Sequence, residues 1–140
     1  MASNSNTEAF KGTWDYVDGE NNDEYLKEIG VGMMGRLAAK GLKPRLVISE
    51  EHGKWAVRTE TTVKTMTLEF TPNVEYKETT GDGRELKGTV RFENGKWIQK
   101  MHDKHGKEST TTRWIDEKGQ LQSVSECGKV KAQKFYKRVQ

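Results

Sequence analysis

The sequence predicts an all-β fold, an antiparallel up-and-down meander closed into a barrel around an interior that side chains do not fill. Three observations lead there. From residue 45 onward, β-favouring runs alternate with glycine turns, and the turn glycines Gly95, Gly106, Gly119 and Gly128 lie 11, 13 and 9 residues apart, the spacing of hairpin-connected strands. Leu, Ile, Val and Phe amount to only 25 of 140 residues, yet the net charge is a mere +3 with acids and bases interspersed, so the chain reads as folded around a thin core rather than disordered. A barrel that keeps a ligand cavity reconciles the two facts. Helical periodicity, finally, is confined to one stretch near the N-terminus.

Taken in order, residues 1–8 read as a flexible polar extension and residues 9–140 as one domain, with no linker to divide it. "FKGTWDYVD" is the first strand candidate. Asn22 or Asp23 then caps "DEYLKEI", whose Tyr25, Leu26 and Ile29 share a helical face, and Gly30 is placed to end it. "MMGRLAAK" puts Met33, Met34, Leu37 and Ala38 on one face before Gly41 and Lys43-Pro44 stop it. Helices this short must pack on the rest of the molecule, so the apolar face is expected toward the barrel mouth and Lys27, Arg36 and Lys40 toward solvent, as a lid between the first two strands. The meander follows: "RLVISE", "KWAVRTETTVK", "MTLEF", "GTVRFE", "KWIQKMH" and "STTTRWID", divided by turns such as "EHGK", "TTGDGR", "ENGK", "KHGK", "DEKGQ" and "ECGK". The last run, "VKAQKFYKRV", places Lys134 between Ala132 and Tyr136 on its likelier inner face, a charge that needs a reason.

Several function classes are disfavoured. A single cysteine, Cys127, allows no internal disulfide; "MASNSNT" lacks a secretory pattern; no apolar run approaches a bilayer span; and position 2 is Ala, so the expectation is a cytoplasmic, unanchored monomer. "GVGMMG" matches a dinucleotide-loop pattern but follows a helix and precedes a β meander, so it reads as helix termination. His102 and His105 in "HDKH" fall at a hairpin tip with no third ligand, and Cys127 has no base beside it, so neither metal, cofactor nor catalytic group is expected. Four tryptophans could stack bases, but no basic stripe separates from the acids, which argues against nucleic acid. An enzyme built on such a barrel finds no nucleophile with a base and no paired acids.

"FKGTWDYVDGENNDEYLKEIGVG", followed by "KPRLVIS", "KWAVRTETTVK", "EYKETTGDGR", "RWID" and "KFY", closely resembles the intracellular lipid-binding proteins, the family of fatty-acid-binding and cellular retinoid-binding proteins within the calycin superfamily. The likeness runs from about Phe10 to Arg138. It implies a ten-stranded antiparallel up-and-down clamshell barrel with a two-helix lid, and non-enzymatic binding and transport of long-chain fatty acids or related hydrophobic carboxylates. A retinoid or another neutral, bulkier lipid is the alternative.

The resemblance also gives Lys134 its reason. Such proteins hold a lipid carboxylate with an Arg on a late strand and an Arg-x-Tyr on the last, positions that fall here on Arg113 and on Lys134 and Tyr136. A buried carboxylate requires cationic and hydroxyl donors, so the trio is chemically sound. Lys134 in place of Arg gives a point charge rather than a planar fork, which makes Arg113 the expected main anchor. Tyr25, Leu26, Ile29, Met33, Met34, Leu37, Val63 and Lys64 fall on the lid and portal, where Asn22 and Val63 replace customary rings and should loosen the entrance. Lys27, Arg36, Lys40 and Lys64 would surround it and attract anionic membrane during delivery. Threonine-rich inner faces imply an interior that holds water as well as lipid.

Overall fold

The computed structural model describes residues 7–80 and 83–140. Thr7 to Lys11 form a helical turn, with Phe10 N–H donating to Thr7 O at 3.1 Å and Lys11 N–H to Glu8 O at 3.2 Å, so Thr7 and Glu8 already belong to structured chain. The rest of the expected extension lies outside the described residues.

Ten antiparallel strands follow: β1 (Gly12–Glu20), β2 (Arg45–Glu51), β3 (Lys54–Glu60), β4 (Thr65–Phe70), β5 (Tyr76–Thr79), β6 (Glu85–Glu93), β7 (Lys96–Asp103), β8 (Glu108–Ile115), β9 (Leu121–Cys127) and β10 (Val130–Arg138). Sheet order is β4-β3-β2-β1-β10-β9-β8-β7-β6-β5, so every neighbour in the meander is hydrogen-bonded except β4 and β5, whose seam leaves the barrel nearly closed. The turns are set by local chemistry. His52-Gly53 and Asn94-Gly95 each have both residues at positive φ, as the two-residue type I′ hairpins joining β2 to β3 and β6 to β7 require. Thr61, expected inside a strand run, instead closes the turn after β3: its Oγ1 accepts from Lys64 N–H at 3.1 Å and donates to Lys64 O at 3.0 Å. Gly81 and Asp82 of "TTGDGR" lie outside the described residues.

The thin apolar content is concentrated rather than spread. Phe10, Trp14, Trp55, Phe70 and Trp97 are all buried to 5% exposure or less and, with Phe92 packed against them, form an aromatic plug at one end of the barrel. Trp97 is its hub, meeting Phe10, Trp55, Phe70 and Phe92 edge-on at centroid distances of 5.3 to 5.7 Å. Each such pair adds about 0.5–1.5 kcal/mol beyond area burial. Arg138 stacks over Trp14 at 4.2 Å and donates to Lys11 O at 2.8 Å and Ala9 O at 2.6 Å, fastening the N-terminal turn beneath the plug.

Two helices join β1 to β2: α1 (Asn22–Glu28) and α2 (Met33–Ala39). The expected N-cap at Asn22 or Asp23 is corrected to Asn21, which sits in the left-handed region and makes no side-chain cap; its Nδ2 donates to Lys131 O at 2.8 Å on β10 instead. Gly30 ends α1 as expected, in a Schellman arrangement in which Val31 N–H reaches Leu26 O at 2.9 Å and Gly30 N–H reaches Lys27 O at 3.1 Å. This accounts for "GVGMMG". α1 packs Tyr25, Leu26 and Ile29 against Cys127, Val130 and Ala132, and Cys127 Sγ donates to Glu108 O at 3.3 Å.

α2 overturns the expected lid orientation. Met33, Met34 and Leu37 are 73%, 78% and 60% exposed, Ala38 is exposed too, and no residue of the helix is buried. The face that packs is Gly35, Arg36 and Ala39. Arg36, expected in solvent, donates to Val31 O at 2.8 Å and lies 3.3 Å from the Asp23 carboxylate. The inner side of α2 is held locally: Gly35 approaches Val31 of the link between the helices closely enough that a Cβ would clash, and Arg36 reaches Asp23 of α1, while the methionines stay exposed.

Candidate functional site

Register alone assembles one polar row on the barrel's inner wall. Trp97 of β7 pairs with Arg113 of β8, Arg113 with Ser123 of β9, Ser123 with Lys134 of β10, and Lys134 with Gly19 of β1. Paired residues point to the same side of a sheet, so two cations face inward with a small serine between them. Two strand spacings separate their backbones by about 10 Å, room for a small anionic group to bridge the side chains.

Gly19 is opposite Lys134 because β1 carries a bulge. The register slips between Tyr16 and Asp18, leaving Val17 unpaired, and the slip turns Asp18 and Glu20 outward and Gly19 inward. An unbroken alternation from Trp14 and Tyr16 would put the Asp18 carboxylate on the lysine. Instead, a Gly19 Cβ would stand 2.7 Å from the Gln133 backbone oxygen, 3.0 Å from Tyr16 Oη and 3.1 Å from Lys134 Cγ, so only glycine fits beside the lysine. Tyr16 also meets Tyr136 edge-on at 5.9 Å, so two phenols flank the lysine.

Arg113 is held from the other side. Its Nη1 donates to Gln99 Oε1 at 2.8 Å, Gln99 Nε2 donates to Tyr76 Oη at 2.5 Å, and the guanidinium lies over the Trp97 ring at 5.2 Å. Because Arg only donates, Gln99 must turn its oxygen to Arg113 and its amide N–H to the tyrosine, which leaves the Tyr76 proton free to donate. Gly88 makes this possible, since any side chain there would strike the Tyr76 hydroxyl. Glu78, two residues beyond Tyr76, is the carboxylate near this end, and its field acts on both Arg113 and Tyr76.

Desolvation dominates the electrostatics of the whole group. Burial pushes the Tyr76 and Tyr136 hydroxyls up to about 12, so both stay protonated donors at neutral pH. Burial raises the Glu78 carboxyl from its ordinary value, with Arg113 opposing. The lysine ammonium is lowered by burial first and by the Arg113 charge second, and burial also lowers Arg113. Among the described residues neither cation has a carboxylate within ion-pair distance, while surface pairs such as Arg45 with Asp15 (2.7 Å) are common.

At its Arg113 end the row meets a cavity of about 750 Å3 bounded by Val57, Thr59, Leu68, Glu78, Gln99 and Arg113, which reaches the β4–β5 seam; Lys134 and Tyr136 are not among its lining residues. Its lining is mixed, as the threonine-rich strands suggest: Thr59 and Thr111 face it, and Thr111 Oγ1 is 2.9 Å from Ser125 Oγ. A second hollow of about 830 Å3 beside Thr79, Gly83 and Arg84 has a charged rim of Lys77, Arg84, Lys87, His102 and Asp103, which suits a solvated surface rather than lipid. His102 proves to lie within β7, one residue before its end and opposite Glu108, rather than in the turn; among the described residues no metal-binding cluster forms.

The expected trio of Arg113, Lys134 and Tyr136 is thus brought together, whereas the lid and portal residues divide. Tyr25, Leu26 and Ile29 are fixed: Arg84 donates to Ile29 O at 2.8 Å and Lys107 pairs with Glu28 at 2.7 Å. Met33, Met34, Leu37 and Val63, the last 75% exposed, form apolar surface at the same end, with Lys27, Lys40 and Lys64 also exposed. Sequence reasoning missed Gln99, Tyr76, Glu78 and Gly19. Gln99 was within reach, since "KWIQKMH" seats a glutamine between Trp97 and Met101 on one face.

The profile described as the lipocalin / cytosolic fatty-acid binding protein family matches residues 11–139. Fatty acid-binding protein homolog 6 of Caenorhabditis elegans is 42% identical over 134 residues, covering 94% of this chain and 98% of the relative. Sodium/calcium exchanger regulatory protein 1 of Doryteuthis pealeii is 34% identical, covering 91% and 95%. Among solved structures, Echinococcus granulosus fatty-acid-binding protein 1 superposes with a TM-score of 0.89 at 29% identity (95% and 99% covered). The Schistosoma mansoni fatty acid binding protein in complex with arachidonic acid gives 0.88 at 26% identity (94% and 97%).

Proposed function

The chain belongs to the lipocalin / cytosolic fatty-acid binding protein family, and from that premise we propose that it is a non-enzymatic carrier of long-chain fatty acids or similar hydrophobic carboxylates in the cytoplasm. The observation that carries this reading is the inner row of Arg113 and Lys134, two buried cations without carboxylate partners among the described residues, flanked by the protonated phenol of Tyr136. Leaving two like charges desolvated in one interior is costly, and an entering carboxylate relieves that cost. Arg113 keeps guanidinium N–H groups beyond the one given to Gln99, Lys134 supplies a point charge across Ser123, and Tyr136 adds a hydroxyl. The aliphatic tail has Val57, Met66 and Leu68 to lie against.

Delivery is assigned to the end that bears Met33, Met34, Leu37 and Val63. Exposed apolar side chains ringed by Lys27, Lys40 and Lys64 suit transient contact with an anionic membrane, the protein acting as a monomer. Arg36, bound to Asp23, takes no part.

Native mass spectrometry of the purified protein, then calorimetry of the delipidated protein with a fatty acid and its methyl ester, tests the reading. One co-purifying fatty acid per chain and a clear preference for the acid are expected. Equal affinity for acid and ester would overturn it in favour of a neutral lipid.

A further inference from the structure

Lys134 differs from Arg113 in one chemical respect: once neutral, it is a nucleophile. We propose that Lys134 is a reversible covalent anchor for long-chain lipid aldehydes, capturing them as imines inside the barrel; the proposal rests on the carrier reading only for the route by which an alkyl chain enters.

The geometry supplies what an imine-forming amine needs. Lys134 stands on the inner face of β10 between Ala132 and Tyr136, which are 3% and 5% exposed, so its stem is shielded from bulk water. It makes no hydrogen bond or ion pair with any described residue, and its register on β10 turns it to the barrel interior on the Arg113 side. The bulge in β1 keeps the Asp18 carboxylate away, and Gly19 leaves room for the side chain. The groups facing it are Arg113 from β8, Tyr136 on its own strand and Tyr16 from β1, with Tyr25 of α1 and Glu78 of β5 acting on Arg113 beyond. Burial and a neighbouring cation both favour the neutral amine, the arrangement by which lysines become nucleophiles.

The chemistry balances without a co-reactant. The Lys134 nitrogen adds its lone pair to the aldehyde carbon, and the carbonyl oxygen takes a proton to give a carbinolamine. The nitrogen then loses its remaining proton as the C–O bond breaks, and the oxygen departs as water, leaving C=N. Tyr136 and Tyr16 stand where a phenol can hand a proton to that oxygen and recover it from the nitrogen. The acid and aldehyde of one chain length place the same carbon in the same row, so a fatty acid competes.

The test uses hexadecanal with the delipidated full chain, trapping the imine with sodium cyanoborohydride and locating the added alkyl group by peptide mass mapping. A single adduct on Lys134 is expected, forming faster than on the outward Lys131 and Lys137 of the same strand, because only Lys134 is enclosed by the barrel wall where the alkyl chain is held. Hexadecanoic acid should block it, and Lys134→Arg, checked for folding by circular dichroism, should lack it. Adducts spread over surface lysines at equal rates in both proteins, or no adduct in a barrel that binds hexadecanoic acid by calorimetry, would overturn the proposal. An adduct on Lys134 in a barrel indifferent to the acid would instead overturn the carrier reading alone.

Discussion

Replacing Arg113 by Gln separates what the interior cations do for the ligand from what they do to the fold. Arg113 has one protein acceptor, Gln99 Oε1 at 2.8 Å, and a ring face at 5.2 Å. The residue lines the cavity, and the Lys134 charge repels it across Ser123. For a carboxylate ligand the loss is one charge-assisted contact, about 1.5–3 kcal/mol, or roughly tenfold to a hundredfold in affinity. Lys134→Gln should cost less, since an ammonium is more strongly hydrated than a guanidinium and cannot make paired hydrogen bonds. For the empty fold the sign is opposite. Removing one of two like charges from a desolvated interior relieves repulsion, so the apo Arg113→Gln protein should melt no lower than wild type, and up to a few degrees higher. Calorimetry with acid and methyl ester, paired with thermal unfolding of the delipidated protein, reads both effects. Loss of acid and ester affinity in equal measure, together with a lowered melting temperature, would show Arg113 to be a structural residue and sink the reasoning.

Three further outcomes are expected. Burial raises Glu78, and a group whose folded value lies above its unfolded one contributes stability below the unfolded value that is lost as pH rises through the folded value; Glu78→Gln should therefore stabilise the protein at pH 7 and leave its melting temperature almost unchanged near pH 4, and equal shifts at both would contradict this. Amides of α2, a helix with no buried residue, should exchange with deuterium faster than those of α1, which Arg84, Lys107 and Asn21 tie to the barrel; mass spectrometry showing equal protection would refute the division of the lid. Gly88→Ala should push Tyr76 off Gln99, costing about 1–3 kcal/mol of stability and weakening acid binding more than ester binding; an unchanged denaturant midpoint would show that the hydrogen-bonded chain can shift without loss.

How far such a site can be read from sequence depends on whether strict alternation holds. Where it does, as along β8 and β10, Arg113, Lys134 and Tyr136 fall on the inner face and were found. Gly19 was not, because a bulge changes which side each following residue faces, and no residue in "DYVDGE" announces the slip. Gln99 and Tyr76 were missed for another reason: they act through each other, from strands 23 residues apart, and single-strand patterns carry no information on such pairs. The helices show the limit of amphipathic reasoning. Met33, Met34 and Leu37 do share a face, but the opposite side is the one held, by Gly35 against Val31 of the interhelix link and by Arg36 against Asp23.

The seam between β4 and β5 bears on association between molecules. A closed barrel has no free strand edges, whereas this one retains two rows of backbone donors and acceptors that another chain could pair with. The outward positions along them are Thr65, Thr67 and Glu69 on β4 and Lys77 and Thr79 on β5, all exposed and none apolar. A second copy adding a strand there would have to desolvate Glu69 or Lys77 beside its own backbone. β5 is also only four residues long, too short to template much pairing. The edges that let the cavity open sideways are thus guarded against polymerisation by charge and brevity, and hydrophobic replacements at Glu69 and Lys77 are where this fold would first become prone to fibres.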